Sequence, residues 1–116
     1  MWMDHVRPVL VLRCLAGKTD AFVFTETAAR IEQADENHTV ELALDGSSAA
    51  VERWPDSADH DALFAPDAEA FARRLAGART LRFGFTPHNA QPVTATFDLS
   101  GAEAVVDAVS RTCRRR

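Results

Sequence analysis

Four histidines, two cysteines and an acidic central stretch are the residues of this 116-residue chain whose types could do chemistry. The densest polar cluster is Asp56, Asp59, His60 and Asp61. It offers carboxylates and an imidazole to a divalent cation or to a partner protein. Its spacing is not that of a dedicated cation loop, so the expected form is an exposed acidic loop. His5, His38, His60 and His88 form no H-x-x-x-H or H-x-E pattern, and no cysteine pair stands at metal-ligand spacing. No metal site is therefore expected. A Ser–His–Asp site would have to be assembled in space, because no G-x-S-x-G turn supports one. Five glycines in all, none clustered, leave no phosphate-cradling loop. The chain reads as non-enzymatic, with no catalytic residue and no cofactor.

The two thiols are better placed than their number suggests. Side chains alternate along a strand, so Cys14 shares a face with Leu10 and Leu12. Cys113 follows Val109 by four residues and continues an apolar helical stripe. Both point at the core, near the two ends of the chain, which often lie close in a domain. Two buried free thiols and a Cys14–Cys113 disulfide both satisfy this placement. A reactive thiol has little support, since neither cysteine has a histidine near it in sequence.

Trp54 also has two readings. It alternates with Ala50 and Glu52 and meets Pro55 at the end of its strand. It either covers the edge of the core or anchors a partner protein, because exposed Trp is enriched at binding hot spots. With Asp56, Asp59, His60 and Asp61 it marks the candidate protein-binding surface. Trp2 is uninformative, and His88 and Asn89 read as turn residues.

The elements that must position these residues are legible from period and punctuation. Val9–Cys14 is a strand rich in aliphatic and β-branched residues. A Gly17-Lys18-Thr19 turn returns it into Asp20–Thr25, with Phe22 and Phe24 on one face. Residues 26–38 form a long connection, in which Ala28–Gln33 has room for a helical turn. Thr39–Leu44 alternates with Val40, Leu42 and Leu44 inward. Asp45-Gly46 turns the chain into Ala49–Trp54, and residues 55–65 follow as acidic loop. A first helix starts near Pro66 with the stripe Ala68, Phe71, Ala72 and Leu75, and ends at Gly77. Thr80–Phe85 and Val93–Leu99 are strands joined through Pro87–Pro92, where Asn89 suits a positive φ. Ser100-Gly101-Ala102-Glu103 matches a capping box, with Ser100 and Glu103 as the reciprocal caps. The last helix carries Ala102, Val105, Val106 and Val109. The expected fold is α+β: a mainly antiparallel sheet, order ββββαββα, two helices packed on it, and the C-terminal helix against the first strand.

Composition bounds the rest. Length and a 47% apolar content suit one domain, residues 1–116, with one core. No run approaches the roughly 20 apolar residues of a membrane helix. Asp4, His5 and Arg7 interrupt the N-terminus and no apolar h-region follows; this predicts either an exported protein without its leader or a cytosolic one. The net charge of −4 divides unevenly: residues 20–69 carry −11 and the remainder +7. These are either the solvated faces of one domain or a bipolar surface that orients a charged partner. Nucleic acid is not expected, because aromatics do not interleave with the basic residues and Tyr is absent.

Several stretches together resemble a known family. They are Arg7-Pro8-Val9-Leu10-Val11-Leu12-Arg13-Cys14 and Thr19-Asp20-Ala21-Phe22-Val23; Phe64-Ala65-Pro66 with Phe71 and Leu75; Leu81-Arg82-Phe83; the run from Thr86 through Phe97-Asp98-Leu99-Ser100-Gly101; and the closing Cys113. This pattern resembles the type VI secretion-associated VasI/TagO family over roughly residues 7–113. The family's middle strand, V-x-Y-R-x-D-x-G, here reads Val40-Glu41-Leu42-Ala43-Leu44-Asp45-Gly46, without the Tyr or the Arg. The resemblance implies an exported, periplasmic accessory or adaptor domain that binds another protein, and it favours the Cys14–Cys113 disulfide. A second expectation is a cytoplasmic, immunity-like inhibitor that blocks an effector through complementary charge.

Overall fold

Among the described residues, alternating apolar side chains and short turns build seven antiparallel strands, and two amphipathic stretches build helices against them. The computed structural model describes residues 8–32 and 37–114; Trp2, His5, Gln33 and the last two arginines lie outside these. The order is β1 (Val9–Leu15), β2 (Lys18–Phe24), β3 (Asn37–Leu44), β4 (Ala50–Pro55), β5 (Ala62–Phe64), α1 (Ala68–Ala76), β6 (Thr80–Phe85), β7 (Val93–Asp98) and α2 (Ala102–Arg114). A small sheet runs β1-β2-β5 and a larger one β4-β3-β6-β7. A single bridge between Asp56 and Leu63 carries the pairing from β5 to the end of β4, so the two sheets meet there. α1 lies over β2 and α2 over β1. The expected α+β class and the contact of the last helix with the first strand are both present.

Register decides which faces meet. Leu10 pairs with Val23 and Val23 with Leu63, while Leu12 pairs with Ala21. These form the inner row of the small sheet. In the large sheet Val40, Leu42 and Leu44 align with Phe85, Phe83 and Leu81. One core unites these rows with Phe71 and Leu75 of α1. At its centre Trp54 is fully buried. Its ring meets Phe71 edge-on at 5.2 Å and Phe83 at 5.4 Å, geometries that suit the aromatic quadrupole. The indole N–H donates to Glu52 Oε1 at 3.0 Å, and Arg74 of α1 donates to Glu52 Oε2 at 3.0 Å. The buried donor is therefore satisfied, and the same carboxylate ties β4 to α1.

Several local expectations are corrected. Ala28–Gln33 does not make a helical turn over its described residues. Ala29 bridges Pro87, Arg30 N–H donates to Thr86 O, and His88 N–H donates to Ala28 O, so this backbone finds partners across the chain instead. Residues 55–65 are not all loop. Ala62–Phe64 forms β5 because β2 has an open edge there, and three residues are too few to show a period. α1 begins after Asp67, whose carboxylate accepts from Ala70 N–H at 3.1 Å; Pro66 precedes the cap. The capping box at α2 does not form. Ser100 donates its hydroxyl to Asp98 Oδ1 at 2.7 Å, Gly101 takes φ +81°, and the helix starts at Ala102, with Glu103 in its first turn. Asp98 competes for the hydroxyl as a stronger, charged acceptor. Val105, expected inward, is 50% exposed.

Two polar clasps hold the connections. Asp45 Oδ1 accepts the amides of Arg79 and Thr80 at 2.7 and 3.0 Å, which holds its carboxyl below the usual carboxylate range. Glu32 receives the Thr39 amide at 2.6 Å, the Thr39 hydroxyl at 2.7 Å and Arg53 at 2.7 Å. Arg53 also donates to Asn37 O at 2.9 Å. Burial alone would raise the Glu32 pKa, but the Thr39 amide, the Arg53 guanidinium and the Thr39 hydroxyl outweigh it and carry the carboxyl to about 2.

Cys14 and Cys113, 99 positions apart in sequence, form a disulfide with Cα atoms 5.6 Å apart that joins β1 to α2. In the chain-entropy model a loop of this size contributes up to ~4.7 kcal/mol. Intact mass after alkylation is expected to show no label on the unreduced protein and two labels after reduction. The reduced protein, and C14S/C113S, should melt well below the oxidised form; equal melting points would remove the clamp from the account. A second expectation concerns acid. The stabilisation from Glu32 is complete above its unfolded pKa of ~4.3 and is lost as pH falls through the folded value of about 2. Denaturant titrations from neutral to strongly acidic pH should therefore show less acid destabilisation in Glu32→Gln than in the wild type.

Candidate functional site

The loop between β4 and β5 is a built turn rather than a loose acidic segment. Ser57 N–H donates to Ala62 O at 3.0 Å and His60 N–H to Ser57 O at 2.9 Å. The Ser57 hydroxyl donates to Asp61 Oδ1 at 2.9 Å. The Asp61 carbonyl accepts Thr25 N–H at 2.8 Å and Glu26 N–H at 3.2 Å. His60 takes φ +59° to close the turn, in the left-handed region that a residue with a Cβ seldom occupies.

Within this frame two histidines converge on one carboxylate. His60 Nδ1–H donates to Asp56 Oδ2 at 2.6 Å. His38 Nε2 lies 3.4 Å from the same oxygen. His38 is buried on β3, and its Nδ1–H donates to Arg30 O at 2.8 Å. The carbonyl can only accept, so the Nδ1 position carries a proton. Asp56 is mostly covered, whereas the His60 side chain is 66% exposed. The hydrogen bond to Asp56 and then its charge raise the His60 pKa above the ordinary imidazole value; desolvation opposes this and Asp59 adds to it. His88 lines the same shallow hollow, with Ile31 and Ala58 on its walls.

The arrangement can orient an imidazole and hold its proton. The nearby Ser57 hydroxyl is committed to Asp61, not to a histidine. Among the described residues no three His, Cys, Asp or Glu side chains are placed to hold a metal ion.

The sequence-predicted binding residues divide. Asp56, Asp59, His60 and Asp61 do share one turn. Trp54 does not belong to a surface: its side chain is the centre of the core, and its role as a partner anchor is corrected here. The reason is register, since Trp54 pairs with His38 on the inner row of the large sheet. His38 itself was not anticipated, because its partner Asp56 lies 18 positions away and only the β3–β4 pairing joins them.

A second surface was also missed. Register places Val11, Phe22 and Phe64 in one line on the outer face of the small sheet, with Val9 and Phe24 in the next. Phe22 and Phe64 stack at 4.7 Å, and the Arg13 guanidinium lies 4.9 Å from the Phe22 ring centroid. Arg13 also pairs with Asp20 at 3.2 Å. Val11, Phe22, Phe24 and Phe64 are half-buried and none joins the core. A signal was present: Ala21-Phe22-Val23-Phe24 is apolar at both parities, which an antiparallel strand with one solvated face does not need.

The charged His60–Asp56 pair stabilises the turn fully below the ordinary imidazole pKa of ~6.5, and that contribution is lost as pH rises through the elevated folded value. Nuclear magnetic resonance titration of the imidazole protons should give a His60 midpoint above that of a free imidazole. Asp56→Asn should bring the midpoint back toward it; an unchanged midpoint would show that another group sets the His60 pKa.

The disulfide is compatible with an oxidising compartment, and no described helix is long and apolar enough to cross a membrane. The chain matches no protein-family model, no curated protein and no solved structure.

Proposed function

We propose that this chain is a non-enzymatic accessory domain of an exported compartment, clamped by its disulfide, whose task is to bind another protein. The observation that carries the reading is the apolar outer face of the small sheet. Val11, Phe22, Phe24 and Phe64 stand outside the core, yet strand pairing holds them half-buried on one face. Aromatic residues on a fixed sheet bring large contact area with little side-chain entropy to lose, which is what a docking anchor requires. Arg13 and Asp20 border this plane and supply a polar rim.

The Cys14–Cys113 bond supports an oxidising home, and the periplasm is the compartment proposed. The resemblance of the Arg7–Cys14 and Phe97–Gly101 sequences to the VasI/TagO pattern supports a type VI secretion apparatus as the setting. In this reading the Asp56–Asp61 turn serves the fold, by joining β4 to β5, and the aromatic face serves the partner.

Capture of envelope proteins by wild type and by F22S/F64S tests the assignment. The double variant should lose the partners that the wild type retains. Val51→Ser, on the opposite sheet at a 66% exposed position, should keep them. Identical capture by all three proteins would remove the aromatic face as the docking surface.

A further inference from the structure

The outer edge of β1 is unpaired among the described residues, because β1 ends the small sheet. Such an edge offers a row of free backbone donors and acceptors, which proteins commonly guard with lysine, proline or a bulge. β1 reads Val-Leu-Val-Leu-Arg-Cys-Leu, with no lysine or proline within it; Pro8 stands just before its first residue. Its one charge, Arg13, is drawn onto Phe22 and Asp20 of its own sheet.

Two of the most exposed large apolar side chains lie on this strand, Val9 at 50% and Leu15 at 54%. They share its outer face. A third, Val105, is 50% exposed on α2. The flank of α2 carrying Glu103, Asp107 and Ser110 lines the groove beside α1. The other flank carries Val105, Val109 and Thr112, spaced i, i+4, i+7, and contains no charge. Since α1 covers β2 and α2 covers β1, this uncharged flank faces the β1 edge. Strand edge and helix flank therefore form one apolar side of the molecule.

We propose that this side takes a second copy of the chain, with β1 pairing antiparallel to β1 of the partner copy about a two-fold axis at Leu12. The sequence of the strand is what selects this occupant. About Leu12, Val9 falls opposite Leu15 of the partner copy, and Leu15 opposite Val9, so each exposed apolar side chain covers the other. Arg13 falls opposite Val11 rather than opposite its own copy, so no like charges stand directly opposite, and each Arg13 keeps its own counter-charge in Asp20. The Val105 and Val109 flanks of the two α2 helices then face each other across the axis. The result is an isologous dimer, the commonest oligomer symmetry, with a continuous six-stranded sheet whose outer face joins the two aromatic planes. The inference goes beyond the proposed function and stands whether or not those planes dock another protein.

Sedimentation equilibrium of the intact, oxidised chain tests it. The wild type should show twice the 12.7 kDa chain mass. Leu15→Glu and Val9→Lys, each at an exposed position, should leave the melting point of the monomer unchanged and weaken association by about tenfold or more, the scale of one lost apolar contact or one buried unpaired charge. The double variant V9K/L15E should restore association, because the register sets the two new charges against each other across the axis. A wild type that stays monomeric at every accessible concentration overturns the proposal. So does a dimer that survives both single variants, or a double variant that fails to recover.

Discussion

The burial of Trp54 is the constraint on which most of this structure depends. A side chain of that size, fully removed from water, must be met by apolar surface on every side and must find an acceptor for its one N–H. Phe71 of α1 and Phe83 of β6 supply the surface, and Glu52 supplies the acceptor. Because Glu52 is held in turn by Arg74, the same indole fixes α1 against β4. The following residue, Pro55, ends the strand and leads to Asp56, so the position of the His38–Asp56–His60 cluster is inherited from the seating of Trp54.

The disulfide works on a different part of the problem. α2 and β1 lie at opposite ends of the chain, and the packing between them must overcome the entropy of closing nearly the whole polypeptide. The α2 face that meets the core is thin, since Val106 is its one buried valine. A covalent link between Cys14 and Cys113 offsets that entropy where the apolar contact is least. The clamp and the aromatic core are therefore complementary: one ties α2 to β1, and the other packs both sheets against α1.

The two sheets differ in surface chemistry. The large sheet turns a polar outer face to solvent, with Thr39, Glu41, Arg53, Arg82 and Thr96 along it. The small sheet turns an apolar one, and its edge strand is apolar as well. An antiparallel sheet with helices on one face needs only that face to be apolar. Apolar residues on both faces of β1 and β2 are thus in excess of what the fold requires. The acidic turn, by contrast, is tied into the fold: the Asp61 carboxylate accepts from Ser57 and its backbone carbonyl from two amides, while Asp56 accepts from His60.

The sequence by itself determined the α+β class, six of the seven strands, both helices, and the inward placement of Cys14 and Cys113. These are statements about local period and turn chemistry, and each is carried by neighbouring residues: the alternation of Val40, Leu42 and Leu44, the i, i+3, i+4 stripe through Phe71 and Leu75, and the positive φ of Asn89. Only the tertiary structure decided what depended on pairing between distant segments. β5 exists because β2 offers it an edge, the 28–30 segment is extended because residues 86–88 accept it, and Ser100 does not cap α2 because Asp98 takes its hydroxyl. Alternation told that Trp54 shares a face with Glu52, but not which face the core would take. That choice rests on the sum of apolar area across four paired strands and α1, a quantity no single segment contains.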